Sequence, residues 1–170
     1  KLCDIRNIFE KYNLISGLHT FYSTKDQFYK NVLPPLNTLN LEDEKELIKI
    51  ESKGYKNVMI HGDCVFSNIM LSESEDIKFV DVRGMVGNKK TCYGLYLYDY
   101  AKIYQSLIGY DEILMDKKIK KSYKNMMLEY FKTQVGDDFE KIKIITKSLI
   151  LSLVPLHNDV DKIKIYLKLI

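Results

Sequence analysis

Residues 60–69 read I-H-G-D-C-V-F-S-N-I, and a second carboxylate follows in residues 79–84, F-V-D-V-R-G, at Asp81. Asn68 lies five residues after Asp63, and Asp81 thirteen after Asn68. Three short β-type runs frame these positions: Val58 to His61, Asn68 to Leu71, and Ile77 to Val82. Ser72 to Asp76 is a polar turn joining the second run to the third. The spacing therefore predicts a loop carrying Asp63 and Asn68, with the third strand delivering Asp81 at its end.

One acid, one amide and a second acid form a set that phosphoryl transfer can use. An attacking hydroxyl must be aligned and must lose its proton, which a neighbouring carboxylate can take. Mg²⁺ prefers hard oxygen ligands and accepts only one or two from protein when phosphates supply the rest. The five-residue Asp-to-Asn step is also that of the protein-kinase catalytic loop, H-R-D-L-x-x-x-N, in which a metal-binding Asp follows. Here Gly62 stands in place of that Arg. The form H-G-D-x-x-x-x-N, followed by a strand ending in Asp, resembles the aminoglycoside phosphotransferase and choline kinase branch of the kinase-like fold. The resemblance implies Asp63 as catalytic base, Asn68 and Asp81 as Mg²⁺ ligands, and His61 as structural support of the loop.

Competing readings of the single residues are weaker than the constellation. Gly-Asp is a common turn, and a lone His is often a hydrogen-bonded core imidazole. Metal-hydrolase chemistry would want further ligands near His61. His19 and His157 are distant in sequence, and no H-x-x-x-H or C-x-x-C spacing occurs.

Tyr98-Asp99-Tyr100-Ala101-Lys102 opens an amphipathic helix to about Leu107, with Leu97, Ala101, Tyr104 and Leu107 or Ile108 on one face. In the resembling folds, a helix after the metal-binding loop carries an Asp that braces the catalytic loop through backbone N–H groups. Asp99 matches that position. Its simpler reading is a carboxylate favoured by the helix dipole, and both can hold together. The run from Asp81 to Leu107, with Ser152-Leu-Val-Pro-Leu-His-Asn-Asp near the end, also resembles a bacterial subgroup associated with capsular polysaccharide biosynthesis. Arg83 is a possible phosphate contact or an ion-pair partner of Asp81.

Residues 1–56 read as helical rather than as a sheet. Ile5, Ile8, Phe9 and Tyr12 have helical spacing, as do Phe28, Val32 and Leu36, and Glu44 to Glu51 follow. Pro34-Pro35 should interrupt the middle segment. Gly17 and Gly54 are the only glycines before Gly62, so a Gly-rich phosphate loop is not legible there, nor is a V-A-I-K-like strand. The expectation is a single α+β, mostly helical domain, the C-terminal lobe of a protein-kinase-like fold with the N-terminal lobe absent from this chain. It divides into residues 1–56, catalytic and metal-binding loops at 57–94, and a helical subdomain at 95–170.

Composition fits a compact domain. The 170 residues are 46% hydrophobic and 29% charged, enough for one substantial core. A net charge of +3, with lysines scattered over helix faces, makes no case for nucleic acid. Cys3, Cys64 and Cys92 are too few and too irregular for a disulfide framework, which suggests a reducing, cytoplasmic compartment. Cys64 reads as a small buried hydrophobe. The longest apolar stretch, Leu149 to Leu156, is interrupted by Ser152 and Pro155 and is too short to span a bilayer.

The C-terminal half is read as scaffold. Ile119, Tyr123, Met126-Met127, Tyr130-Phe131 and Gln134-Val135 trace one helix, closed by Gly136. Asp137 with Glu140 predicts a capping box for the next. Its stripe of Ile142, Ile145, Leu149 and Leu153 should pack inward until Pro155. Asp159 or Asp161 should start a last helix through Ile163, Tyr166, Leu167 and Ile170, and the Met and Tyr stripes are expected in the core.

The functional expectation is phosphoryl transfer from ATP or another nucleoside triphosphate, with Mg²⁺, to a hydroxyl of a small molecule, a sugar or an amino alcohol. The lone lobe is expected to bind Mg–ATP weakly and to transfer nothing by itself. The alternative is a non-catalytic kinase-like binding or scaffold module. A protein kinase fits less well, because Gly62 replaces the Arg and no A-P-E follows Asp81.

Overall fold

The computed structural model describes residues 57–86, 89–153, 157 and 159–170. Expectations for residues 1–56, for Cys3 and for Pro155 lie outside the described residues. The described chain is α+β and mostly helical, with six short strands and five α-helices.

The strands are β1 (Asn57–Met59), β2 (Ile69–Leu71), β3 (Ile77–Phe79), β4 (Met85–Val86), β5 (Lys89–Lys90) and β6 (Tyr93–Leu95). They form three separate antiparallel pairs: β1 with β6, β2 with β3, and β4 with β5. The β1–β6 register, Val58↔Gly94, closes the 60–92 segment against the start of the first helix. Sequence reading missed β6, since Tyr-Gly-Leu is too short to display an alternation. In the β2–β3 pair Ile69 faces Phe79, and the turn is tied by Ser72 N–H donating to Asp76 O at 3.0 Å. The third strand ends at Phe79, not at Val82 as the apolar run suggested, so Asp81 stands two residues beyond it.

The helices are α1 (Tyr96–Ile108), α2 (Tyr110–Leu114), α3 (Lys121–Val135), α4 (Phe139–Leu153) and α5 (Val160–Leu167). Helix α1 is the spine. Its Leu97, Ala101 and Leu107 meet Phe131 of α3, Ile142, Ile145 and Leu149 of α4, and Ile163 of α5 in one buried cluster. Ala101 is fully buried, and its carbonyl accepts the Thr146 hydroxyl of α4 at 3.0 Å. A larger side chain there would hold the two backbones apart. Tyr104 stacks on Phe131, with ring centroids 5.8 Å apart, and meets Phe139 edge-on at 5.4 Å. Helix α1 stops at Gly109, whose φ of +126° favours glycine and whose N–H donates back to Gln105 O and Ser106 O.

Two expectations for the scaffold are corrected. Tyr123, Met126 and Tyr130 of α3 are exposed, and Phe131 is its one buried residue, because nothing described packs on the outer face of that helix. Asp137 does not cap α4: it lies in a 3-10 turn, Gly136–Asp138, and the helix begins at Phe139. Asp138 is the anchoring acid instead, accepting from the Tyr96 hydroxyl and pairing with Lys141. Ile142, Ile145, Leu149 and Leu153 are buried, in line with their spacing. Asp159 caps α5, accepting from Asp161 N–H at 3.0 Å and Lys162 N–H at 3.1 Å. Among the described residues no helix is long and apolar enough to cross a membrane.

Candidate active site

The loop between β1 and β2 is held from below by side chains of α1 and α2. Asp99, in the first turn of α1, accepts the backbone N–H of His61 at 2.7 Å and of Gly62 at 2.9 Å. Ser106 Oγ accepts the Phe66 N–H at 3.0 Å, and Asp111 Oδ1 accepts the Ser67 N–H at 3.4 Å. These bonds satisfy N–H groups that the irregular loop cannot pair with a neighbouring strand. The loop ends in a 3-10 turn, Phe66–Asn68, that leads directly into β2.

His61 bridges the loop to the segment after β3. Its Nδ1 accepts the Asp63 N–H at 3.2 Å, so the ring proton belongs on Nε2, which lies 2.9 Å from Val80 O. The same ring meets Phe79 at 5.9 Å. Arg83 N–H donates to His61 O at 3.0 Å, which closes the bridge a second time.

Gly62 has a geometric reason to lack a side chain. Its φ is +78°, and a Cβ there would stand 3.0 Å from Arg83 Cβ. Both the backbone conformation and the crowding by Arg83 disfavour a side chain such as the Arg of the protein-kinase loop. The Arg83 guanidinium donates to the Tyr98 hydroxyl at 3.0 Å.

Asp63 is half-buried, and its carboxylate is held on both oxygens. Oδ1 pairs with Lys102 Nζ at 3.0 Å, and Oδ2 accepts from Asn68 Nδ2 at 3.3 Å. Asn68 Nδ2 also donates to Asp63 O at 2.9 Å. Because both partners are acceptors, the amide orientation is fixed: nitrogen faces Asp63, and Oδ1 is left for another partner.

Asp81 is exposed and has φ +60°, a conformation most L-residues avoid. Glu75, in the β2–β3 turn, shares it. Val80 N–H donates to Asn68 O at 3.0 Å, so Asn68 and the residue next to Asp81 are neighbours at one end of the hairpin. Among the described residues no group of three or more His, Cys, Asp or Glu side chains is gathered as for a metal held by protein alone. An Mg²⁺ shared with phosphates needs less, and the amide oxygen of Asn68 with the carboxylate of Asp81 is a hard-oxygen pair suited to it.

Sequence reading missed four residues here. Lys102, Gln105 and Ser106 are buried on α1, and Asp111 is buried on α2. The Gln105 amide, Asp111 Oδ2 and the Tyr166 hydroxyl are buried without a hydrogen-bond partner among the described residues. The Tyr110 ring lies 5.4 Å from that of Tyr166, tilted by 30°, and its hydroxyl is pushed up to about 12 by burial, then by Tyr166, Asp63 and Asp111. The only available signal was polar residues on an otherwise apolar helix face, which does not say which partner takes them inward. Cys64 is buried as expected, and burial, with the charges of Asp99 and Asp63, raises its thiol to about 11.

Comparison with protein-family models, curated proteins and solved structures gives no match to this chain.

Proposed function

We propose that the chain carries the catalytic loop of a small-molecule kinase, resembling the C-terminal lobe of the aminoglycoside phosphotransferase and choline kinase branch. The observation that carries this reading is the clasp of Asp63 and Asn68, with Asn68 directing its free amide oxygen away from Asp63. A base and a metal ligand are thereby fixed relative to one another before any substrate arrives. The positive φ at Asp81 adds support, since strained backbone at an acid beside such a loop is a common mark of function.

In this reading Asp63 accepts the hydroxyl proton of a sugar or amino alcohol as that oxygen meets the terminal phosphate of ATP or a related triphosphate. Asn68 and Asp81 would hold Mg²⁺, which when bound neutralises charge on the phosphates. His61 and Asp99 keep the loop in shape, and Arg83 is oriented by Tyr98. The link to capsular polysaccharide biosynthesis, the place in the cytoplasm and the small-molecule partner belong to the same proposal.

The test is transfer from Mg–ATP to a panel of sugars and amino alcohols by the full-length protein, with Asp63→Asn alongside. A fall in kcat of about 10²-fold or more is expected for the variant. Equal turnover in both would remove Asp63 from the role of base. Nucleotide binding without transfer to any acceptor would favour the binding-module alternative.

A further inference from the structure

Lys102 takes no part in the chemistry so far described, yet its ammonium is among the most enclosed charges near the loop. The residue is 8% exposed, on the face of α1 that packs inward, and its described ion-pair partner is Asp63, thirty-nine positions earlier. A lysine is rarely buried to this extent unless a counter-charge meets it. The other described ion pairs either join residues three apart in sequence or, like Lys124–Glu112, link α2 to α3, the next helix along the chain. This one reaches from the scaffold to the acid of the proposed reaction.

We propose that Lys102 is a positioning residue for phosphoryl transfer: its ammonium fixes the Asp63 carboxylate in the orientation that receives the acceptor hydroxyl. The inference rests on the phosphotransferase reading above. With Oδ1 at 3.0 Å from Lys102 and Oδ2 at 3.3 Å from Asn68, the carboxylate is held at both ends and cannot turn without losing one bond. Two oxygens offer about four acceptor sites in all, so lone pairs remain for a hydroxyl on the open side. The Asp63 side chain is 39% exposed, whereas that of Lys102 is 10% exposed. The exposed edge of the pair therefore belongs to the acid, and the cation stands behind it. One turn along α1, Ser106 Oγ donates to the Lys102 backbone carbonyl at 3.4 Å while accepting from the loop at Phe66. The same helix turn thus carries the cation and anchors the loop.

The experiment compares wild type, Lys102→Met and Lys102→Arg in full-length protein, with steady-state transfer from Mg–ATP and, separately, the ¹⁵N signal of the Lys102 ammonium. Methionine keeps the bulk of the side chain without its charge, and arginine restores a cation that can reach the carboxylate. The expected result for Lys102→Met is a kcat lower by about 10²-fold with KM for Mg–ATP within about twofold, since misplacing a reacting group costs turnover more than nucleotide binding. Lys102→Arg should recover at least part of that loss. It also serves if the methionine variant fails to fold, because full wild-type turnover with arginine displaced from Asp63 would refute positioning. A slowly exchanging ammonium signal, lost on Asp63→Asn, is expected from the wild type. Its absence overturns the proposal whatever the turnover. Unchanged kcat in Lys102→Met overturns it while leaving the phosphotransferase reading intact. No transfer by the wild type to any acceptor sinks that reading, and the positioning role with it.

Discussion

Asp99 Oδ2 accepts the backbone N–H of His61 at 2.7 Å, joining the first turn of α1 to a loop thirty-eight residues earlier. The second oxygen takes the next N–H, that of Gly62, so a single carboxylate sets the entry to the Asp63 loop. Negative charge in the first turn is also favoured by the helix dipole, so the two readings of Asp99 made from the sequence coexist.

Asp99→Asn replaces one of these acceptor oxygens by an amide group that can only donate. The loss of one charge-assisted bond predicts a destabilisation of about 1.5–3 kcal/mol. Urea unfolding of both chains measures it. Asp99→Asn as stable as wild type would mean that the two bonds are incidental to the loop.

The Asp63–Lys102 pair makes a different prediction about stability. Asp63→Asn leaves a buried ammonium without its anion, which the sequence alone gave no reason to expect. Buried pairs broken on one side cost about 3–5 kcal/mol and exposed ones at most about 1, so this half-open pair should lie between, near 1–3 kcal/mol. Adding Lys102→Met to Asp63→Asn should recover stability. A double-mutant cycle by chemical denaturation gives the coupling, and additivity of the two changes would deny the pair any energetic role.

The framework of the site was legible because its signals are local. Residues 69–71 and 77–79 are short apolar runs around a polar turn, and they pair as the turn demands. The helix periods of α1, α4 and α5 follow from Leu97 and Ala101, from Ile142, Ile145, Leu149 and Leu153, and from Ile163 and Tyr166, all of which are buried. What failed depended on distant partners. Lys102 is inward because Asp63 meets it there, and no spacing within α1 encodes that. Tyr123, Met126 and Tyr130 have a helical period, but period does not tell whether another element covers the face. Asp137 and Glu140 had capping-box spacing, yet Asp138, one residue on, holds Tyr96 and Lys141 and shifts the helix start.

Cys64 should be inert in the folded chain. Its thiol is raised to about 11, chiefly by burial, so the thiolate that reacts is scarce near neutral pH. Alkylation at pH 7.5 should be on the order of 10²-fold slower than in denaturant, from the difference between this value and an ordinary cysteine. Mass spectrometry of the Cys64 peptide follows it. Labelling as fast in the native chain as in the unfolded one would contradict the buried position.

Acid should weaken the anchor between α1 and α4. Burial alone would raise the Asp138 carboxyl, but hydrogen bonds from Lys141 and Tyr96 outweigh it and hold the group below its ordinary 3.8. An acid lowered on folding contributes stability above its unfolded value and loses it as pH falls through the folded one. The stability gap between wild type and Asp138→Asn should therefore be constant from pH 7 to about 5 and shrink below about 4. Its size should be about 1 kcal/mol or less for a partly exposed ion pair. A gap that widens in acid would reverse the sign of the argument.

The central claim is that Asn68 and Asp81 meet at one metal–nucleotide site beside Asp63, and a paramagnetic ion reports on it directly. Titration of the ¹⁵N-labelled chain with Mn²⁺–ATP should broaden the signals of Asn68, Asp81 and their neighbours first, even if binding is weak, and Asp81→Asn should abolish that pattern. Broadening centred elsewhere, or unaffected by loss of the Asp81 carboxylate, would contradict the account.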